Sequence, residues 1–486
     1  MDPAACFVVV RGHHPDPVVQ WPEENRVSQT FHFKTPGGGM SVFKKYGYWI
    51  NSGKYTAIQK ASTLLIGIFS FMLLARILGP AGYGVWGLFL VITSIAETSR
   101  TALIRNAFIR FMHQADKSEE PMIQGAALTL SFFISFIMGL LFFLASTVFQ
   151  SLIGNPELAE LLRWYALIIL VSSFFSSMEM LLNAKLDFRG VCWMYVIRQG
   201  LLMLMIAVYY IFNIHLELYQ LALFYLLSFM AGTATGFAFG RRHISWNFQN
   251  LRSWFPKLLH FGKYVFGTNI SSLLFRSTDN FITFHVFGPA LSGYYNACLR
   301  ISNLIDLPSQ VIADVMFPRV AKYNASDREA VKSMYEKSVG AVMLFSIPAL
   351  LIVFIFPAFI LRFLAGEQFV VAVPLLRITA FFGFILPFLK QFGTVMDATG
   401  HPHINFRVMF FAFLFNIGSN LLGVHLFGLT GAALGTAFTY TVVFIISQYL
   451  LHRKFGISVV NVFVNTIRLA REVSAVARLV PKTPRA

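Results

Sequence analysis

The chain has 486 residues, of which 56% are hydrophobic and only 13% are charged, and its mean hydropathy is +0.64. Soluble proteins average roughly 45–50% apolar and about 25% charged residues. The composition therefore excludes an ordinary soluble domain and predicts that nearly the whole chain lies in a bilayer. The formal net charge of +17 does not indicate a nucleic-acid partner, because the basic residues lie in the loops between apolar segments.

Twelve apolar segments are long enough to cross about 30 Å of hydrocarbon as helices. The first six are residues 56–78, 83–108, 122–149, 158–183, 190–212 and 217–240. The second six are residues 262–287, 292–317, 335–357, 370–396, 404–425 and 429–451. The sequence predicts an all-α polytopic membrane protein with about 12 transmembrane helices in two six-helix bundles.

The loops differ in charge from one side of the predicted membrane to the other. Alternate connectors hold 27 Lys and Arg residues, whereas the opposite connectors hold one, Arg362. Because positive charge is retained on the cytoplasmic side, we expect both termini in the cytoplasm. The three cysteines, Cys6, Cys192 and Cys298, are widely spaced and do not form a metal-binding or redox motif. We therefore expect no metal site and no cofactor.

The regions outside the apolar segments have distinct compositions. Residues 1–44 are rich in His, Pro and Gly and are predicted to be a disordered extension, with Met40 as a hypothetical true start. The bundles occupy residues 45–240 and 262–451. Basic and apolar residues alternate in the linker 241–261 and in the tail 452–486, which predicts amphipathic helices on the inner leaflet. An ordinary solvated loop is the alternative for each.

The second half repeats landmarks of the first half at a constant spacing of 209 residues. Gly79-Pro80 recurs as Gly288-Pro289. The segment Gly-Lys-Tyr at residues 53–55, which precedes the first predicted helix, recurs at residues 262–264. Each Gly-Pro pair is predicted to end one helix and turn the chain, since Gly permits unusual φ angles and Pro lacks an N–H. An even number of spans per copy makes the two bundles parallel, as in transporters that rock around a central site.

Residues 74–80, Leu-Ala-Arg-Ile-Leu-Gly-Pro, followed by Tyr83-Gly84, resemble the first outer turn of bacterial polysaccharide and O-antigen flippases. Residues 184–189, Ala-Lys-Leu-Asp-Phe-Arg, look like that family's basic inner loop. The resemblance covers residues 45–451. It implies a V-shaped central cavity between the bundles, as in the superfamily that includes multidrug antiporters and lipid II flippases. It also implies transport of an oligosaccharide on a polyprenyl phosphate or pyrophosphate from the inner to the outer leaflet. Lipid II flippases typically add two helices, so twelve spans favour the polysaccharide branch.

Ionisable side chains deep in predicted helices are the candidate functional residues. Each costs about 2.5–3.5 kcal/mol to insert, so such groups usually face a cavity or a partner. Six of the nine are cations, and the surplus of three positive charges suits a phosphate or pyrophosphate group. The nine are Glu97, Arg100, Arg198, Arg276, Asp279, Arg300, Asp306, Arg377 and Lys390.

Spacing predicts ion pairs among these residues. Glu97 with Arg100, and Arg276 with Asp279, are three residues apart and share a helix face. Asp279 and Arg300 lie at matching depths on adjacent helices, and a bridge between them would leave Arg276 free for the substrate.

Each deep charge has a functional and a structural interpretation. The cations Arg276, Arg300, Lys390, Arg100, Arg198 and Arg377 are predicted to bind the phosphate end of the substrate. The acids Glu97, Asp279 and Asp306 are candidates to carry a coupling proton or sodium ion. The alternative for all of them is a set of interhelical pairs that hold the bundles together.

Other functions share parts of this pattern. An ion-coupled small-molecule or multidrug exporter of the same superfamily would have the same architecture, although such substrates are often cations. A major facilitator transporter would carry a basic motif between its second and third helices, which is absent. A polysaccharide polymerase or glycosyltransferase would act on the same lipid-linked sugars, but the outer connectors are short and contain no paired carboxylates. We therefore expect a non-enzymatic flippase of the bacterial inner membrane, with such enzymes as its partners.

Overall fold

The structure, a computed structural model, describes residues 39–320 and 327–479. Contacts group residues 51–486 into one compact unit and residues 1–50 into another. The predicted disorder of residues 1–38 lies outside the described residues. Residues 39–44 form the beginning of the first helix of the structure.

All regular structure in the described residues is helical, which confirms the predicted all-α class. The first half contains α1 (Gly39–Gln114), α2 (Glu120–Ile153), α3 (Pro156–Ala184), α4 (Phe188–Ile211) and α5 (Leu218–Gly240). The second half contains α6 (Leu251–Ile305), α7 (Leu307–Val320), α8 (Arg328–Ile355), α9 (Pro357–Leu364), a 3₁₀ segment (Glu367–Ala372), α10 (Val373–Ala380), α11 (Phe382–Ala398), α12 (Pro402–Phe455) and α13 (Val459–Leu479).

Helices α1 and α12 each contain two predicted spans joined at a glycine, and α6 contains one predicted span and the first part of the next, also joined at a glycine. Gly79, Gly288 and Gly428 have φ values of 63°, 78° and 61°. This left-handed region strains residues with a Cβ, and glycine enters it freely. The backbone angles at Gly79 and Gly288 nearly coincide, with ψ values of −177° and −179°. The two copies of the repeat therefore turn in the same way.

Eight helical segments of the described chain are long and apolar enough to cross a membrane. The multi-pass membrane prediction is thereby confirmed. Helix α6 is not among the eight, because Arg276, Asp279, Arg300 and many Ser, Thr and Asn residues interrupt its apolar sequence.

Two spans predicted as single helices are broken. The segment 292–317 turns at Asp306, since Pro308 supplies no N–H for the helical hydrogen-bond ladder. The segment 370–396 consists of the 3₁₀ segment, α10 and α11, with a turn at Phe381 ahead of Gly383 and Pro387. The short helix α9 was not predicted.

The two halves meet where the Gly-Pro turns lie. A Cβ on Gly84 would lie 1.9 Å from the Pro289 carbonyl oxygen, and a Cβ on Gly293 would lie 1.8 Å from the Pro80 carbonyl oxygen. Gly84 and Gly293 are 209 residues apart, as are the two prolines. The contact is therefore repeated by the internal symmetry, and only glycine allows the backbones of α1 and α6 to approach so closely.

Side chains from the 3₁₀ segment and from α1 reinforce this end of the molecule. The Gln368 amide donates to the Ala75 carbonyl at 3.1 Å, and Arg76 Nη2 donates to the Phe363 carbonyl at 2.7 Å. The charge asymmetry predicts that this is the outer end. The halves are therefore closed together on the side opposite to the basic loops.

We expect Gly293→Ala to lower the thermal unfolding temperature of the purified protein. The added Cβ forces the α1 and α6 backbones apart, and overpacking of this kind costs about 1–3 kcal/mol. The matched control is Gly418→Ala in α12, where a Cβ would have no atom within 4 Å. Equal unfolding temperatures for the two variants would contradict the close contact.

Candidate functional site

A first cavity, which we call the N-half cavity, lies between α1, α4, α5 and α6 and has a volume of about 230 Å³. Its charged lining residues are Arg198 and Arg300, and no acidic side chain lines it. The remaining lining is largely aromatic and hydroxyl-bearing, with Phe71, Tyr83 and Tyr225 among its members. It therefore combines two cations with aromatic side chains in an acid-free space.

Three aromatic rings surround the Arg198 guanidinium. Its guanidinium carbon lies 4.5 Å from the ring centre of Phe229, 5.1 Å from that of Phe175 and 5.4 Å from that of Tyr195. Cation–π contacts orient a guanidinium without neutralising its charge. The rings therefore fix the orientation of the Arg198 guanidinium at the cavity.

Arg300 belongs to the second half but reaches the first half. It is exposed, its Nη2 lies 3.4 Å from the Gly67 carbonyl oxygen, and its guanidinium carbon lies 6.0 Å from the Phe71 ring centre. Gly67 is the repeat equivalent of Arg276. Because Gly67 has no side chain, the first copy leaves room at this position for the side chain of Arg300 from the second copy.

A second cavity, the C-half cavity, lies among α6, α7, α11 and α12. It has two lobes of about 250 Å³ and 490 Å³, and Arg276 and Lys390 line both. Asp279 and Asp306 line the smaller lobe, and Asp397 lines the larger one. The acids therefore outnumber the cations here, in contrast to the N-half cavity.

Asp279 is buried and surrounded by uncharged donors. Its Oδ1 accepts hydrogen bonds from Thr436 Oγ1 at 2.6 Å and from Asn416 Nδ2 at 3.3 Å, and its Oδ2 accepts one from the Tyr295 hydroxyl at 2.6 Å. The predicted pairs of Asp279 with Arg276 and with Arg300 are therefore wrong. Tyr295 lies on α6, and Asn416 and Thr436 lie on α12 before and after its glycine at position 428. These hydrogen bonds hold the carboxylate inside the bundle.

Lys390, which is predicted to bind the phosphate end of the substrate, forms an ion pair in the structure. Its Nζ lies 2.7 Å from Asp306 Oδ2, and both side chains are largely buried. Asp306 forms the turn between α6 and α7, so the ion pair links this turn to α11. The other carboxylate oxygen of Asp306 is buried without a hydrogen-bond partner.

Arg100 does not line either cavity. It is 1% exposed and is sealed among α1, α2 and α3. Its guanidinium donates to the Ser135, Ser172 and Ser176 hydroxyls and to the Ile169 and Ser172 carbonyls. Arg100 and Glu97 do not form a hydrogen-bonded ion pair, although their charges lie close enough to interact, and Glu97 Oε1 is buried without a hydrogen-bond partner among the described residues. The structural alternative therefore applies to Arg100.

Arg377 is also outside the cavities described above. It lies exposed on α10 and is not among the lining residues of either cavity. Of the six predicted cations, the structure thus places Arg198, Arg300 and Arg276 at cavity walls without a salt bridge to an acid among the described side chains.

The uncharged ligands of Asp279 were missed by sequence reasoning. Asn416 and Asn420 are one helical turn apart in an apolar segment, and Asn420 donates to Thr436 Oγ1 at 2.9 Å. Amides buried in a membrane helix need partners just as charges do. This spacing was the signal that would have pointed to the site.

We expect Lys390→Met to lower the unfolding temperature more than the double variant Lys390→Met/Asp306→Leu. Removing one partner of a buried ion pair leaves an uncompensated charge, at a cost of about 3–5 kcal/mol, whereas removing both is often neutral. A double-mutant cycle on thermal unfolding measures the coupling. Additive effects of the two substitutions would contradict the pairing.

Comparison with known proteins identifies the family. The model of a family described as polysaccharide biosynthesis protein matches residues 73–374, which is more than half of the chain. The lipopolysaccharide biosynthesis protein WzxC of Escherichia coli (strain K12) is 22% identical over 83% of this chain and 80% of its own length.

Solved structures share the fold. An inward-facing multidrug resistance MATE family transporter of the MOP superfamily matches 81% of this chain and 94% of its own, with a TM-score of 0.72 and 16% identity. The lipid II flippase MurJ in an inward closed conformation matches 88% of this chain and 93% of its own, with a TM-score of 0.68 and 15% identity. These likenesses establish the transporter fold, and the family match establishes membership: the chain belongs to the polysaccharide biosynthesis protein family.

Proposed function

We propose that this protein is a flippase that moves a lipid-linked oligosaccharide from the inner to the outer leaflet for cell-surface polysaccharide synthesis. The carrier would be a polyprenyl phosphate or pyrophosphate. The observation that carries the proposal is the acid-free N-half cavity with Arg198 and Arg300 at its wall. The family membership and the name of WzxC support it.

The chemistry of the N-half cavity suits the anionic end of such a substrate. Guanidinium groups form paired, charge-assisted hydrogen bonds with phosphate oxygens. Arg198 and Arg300 are oriented by aromatic rings and a backbone carbonyl, so binding a phosphate would not require breaking an ion pair. Arg276, exposed at the C-half cavity, would add a third cation.

The closed end of the molecule indicates which step of transport the structure corresponds to. The halves touch at Gly84 and Gly293 on the side that the charge asymmetry predicts to be outside. The substrate would therefore enter from the cytoplasmic side of a bacterial inner membrane, with both chain termini in the cytoplasm. Parallel halves of this kind expose a central site alternately to each side by rocking. Glycosyltransferases and a polymerase would supply and consume the substrate.

The acidic side chains of the C-half cavity suit a cation. Asp279 offers a buried carboxylate that accepts hydrogen bonds from Thr436, Tyr295 and Asn416. Acids inside a membrane helix are functional candidates by default. We therefore assign the coupling role, by a proton or a sodium ion, to Asp279. Asp306 is paired with Lys390, and Glu97 is not among the residues that line either of the two cavities described above.

The second candidate function is an ion-coupled exporter of small molecules. It is favoured by the acids of the C-half cavity and by the likeness to a multidrug transporter fold. A cationic substrate would be repelled by Arg198 and Arg300, which is why the flippase is the first choice. Neither function involves a covalent step.

We expect Arg300→Ala and Arg276→Ala to reduce translocation of a fluorescent lipid-linked oligosaccharide in reconstituted vesicles. Loss of one charged hydrogen bond, worth about 1.5–3 kcal/mol, corresponds to roughly a 10- to 100-fold lower rate. Arg377→Ala, outside the cavities, is the matched control and should retain transport. Full translocation activity of both cavity variants would contradict the phosphate assignment. So would export of a cationic drug that is unimpaired in both variants.

We expect Asp279→Asn to abolish the dependence of transport on an imposed proton or sodium gradient, since the amide cannot bind the ion as a carboxylate does. Thr436→Ser keeps the hydroxyl donor and is the conservative control, whereas Thr436→Val removes it. Transport by Asp279→Asn that still responds to either gradient would place the coupling ion elsewhere.

A further inference from the structure

Two segments cross the predicted inner face of the molecule, one after each set of six spans. We call residues 241–260 the linker strap and residues 452–472 the tail strap. The linker strap comprises the turn after α5 and the first part of α6. The tail strap comprises the end of α12 and most of α13. Neither strap is used in the transport mechanism proposed above.

Both straps are anchored by equivalent hydrogen bonds. The Ser245 backbone N–H donates to Gln124 Oε1 at 3.0 Å, and the Ser458 backbone N–H donates to Glu336 Oε1 at 2.9 Å. Gln124 lies near the start of α2 and Glu336 near the start of α8, 212 residues apart, and the serines are 213 residues apart. The repeat therefore extends beyond the spans and fixes each strap to its own half.

Buried side chains complete the attachment of each strap. In the linker strap, Trp254 and Leu258 are buried, and Trp254 lies 5.8 Å from Phe111 between ring centres. In the tail strap, Val462 is buried, and Thr466 donates to the Gly340 carbonyl at 3.2 Å. Each strap is therefore a fixed part of the fold.

The opposite faces of the straps are apolar and uncovered. Val460, Val464 and Ile467 are 69%, 51% and 55% exposed, and their spacing of four and three residues places them on one face of α13. Phe248 of the linker strap is 55% exposed. Since Val462 and Thr466 already bind α8, α13 has a second, outward apolar stripe.

Cations accompany these apolar residues. The linker strap contains Arg241, Arg242, Arg252 and Lys257 and no acid, and the tail strap contains four Lys and Arg residues and only one acid, Glu472. Arg252, Arg453 and Arg468 are exposed. An exposed apolar stripe bordered by arginines is the pattern of a helix that lies in a membrane interface.

We propose that the two straps form a binding surface for anionic phospholipid headgroups, with the apolar stripe in the acyl boundary and the arginines at the phosphates. The occupant is an anionic lipid rather than a protein, because the charge is one-sided and the apolar residues follow a narrow stripe. Each strap would bind lipid beside its own half, so both halves of the protein would contact anionic lipid. This inference relies on the inner position of the straps and not on the identity of the transported substrate.

The test measures lipid retention by native mass spectrometry of the purified full chain in mixed phosphatidylglycerol and phosphatidylcholine. The wild type should retain phosphatidylglycerol preferentially. The triple variant Arg252→Gln/Arg453→Gln/Arg468→Gln should lose this preference by about fivefold per arginine. The matched control Lys117→Gln/Arg328→Gln/Arg407→Gln removes the same charge from exposed inner positions outside the straps and should keep it.

A second pair of variants tests the anchor without changing the arginines. Glu336→Gln should retain the tail strap and its lipid preference, because Gln124 performs the same task in the first half. Glu336→Leu should speed hydrogen exchange of the amides at 458–466 and weaken phosphatidylglycerol retention.

Equal retention of both lipids by the wild type would overturn the proposal, as would an equal loss of preference in the control triple variant. Arg300→Ala should leave lipid preference intact while impairing translocation. A failure of the substrate assignment is therefore distinguishable from a failure of this one.

Discussion

The close approach of α1 and α6 at their Gly-Pro turns is the contact on which the arrangement of the molecule depends. Gly84 faces the Pro289 carbonyl and Gly293 faces the Pro80 carbonyl, and a single added methyl group at either place would collide with backbone. Because backbone atoms cannot move aside as side chains do, this contact fixes the distance between the halves at one end. The N-half cavity, which α1, α4, α5 and α6 line, is consequently defined by how far these helices diverge from that point.

The charges inside the membrane are sorted between the two cavities. Arg198 and Arg300 are the charged residues that line the N-half cavity, while Asp279, Asp306 and Asp397 line the C-half cavity together with Arg276 and Lys390. Electrostatic interactions are strong where water is scarce, so separation of this kind keeps an anion site and a cation site from neutralising each other. A count of the deep charged residues from the sequence hides this separation, because it adds all the charges as if they lined one cavity.

The helices and their turns were largely predictable, because they depend on local properties. Apolar length gave the spans, and Gly79 and Gly288 marked turns that the structure contains. The breaks at Asp306 and Phe381 were missed, since an apolar segment of sufficient length looks continuous even where a proline follows. The spacing of apolar residues in the tail predicted an amphipathic helix, and α13 is a helix over Val459–Leu479.

The partners of the charged residues were decided by the tertiary structure. By itself the sequence determined the membrane class, the repeat and the set of deep ionisable residues, because each is a property of composition or spacing along one chain. It did not determine that Asp279 binds Thr436 and Asn416 instead of an arginine, or that Lys390 binds Asp306. Those contacts join residues far apart in sequence, and helix rotation and crossing, set by packing, decide which side chains meet.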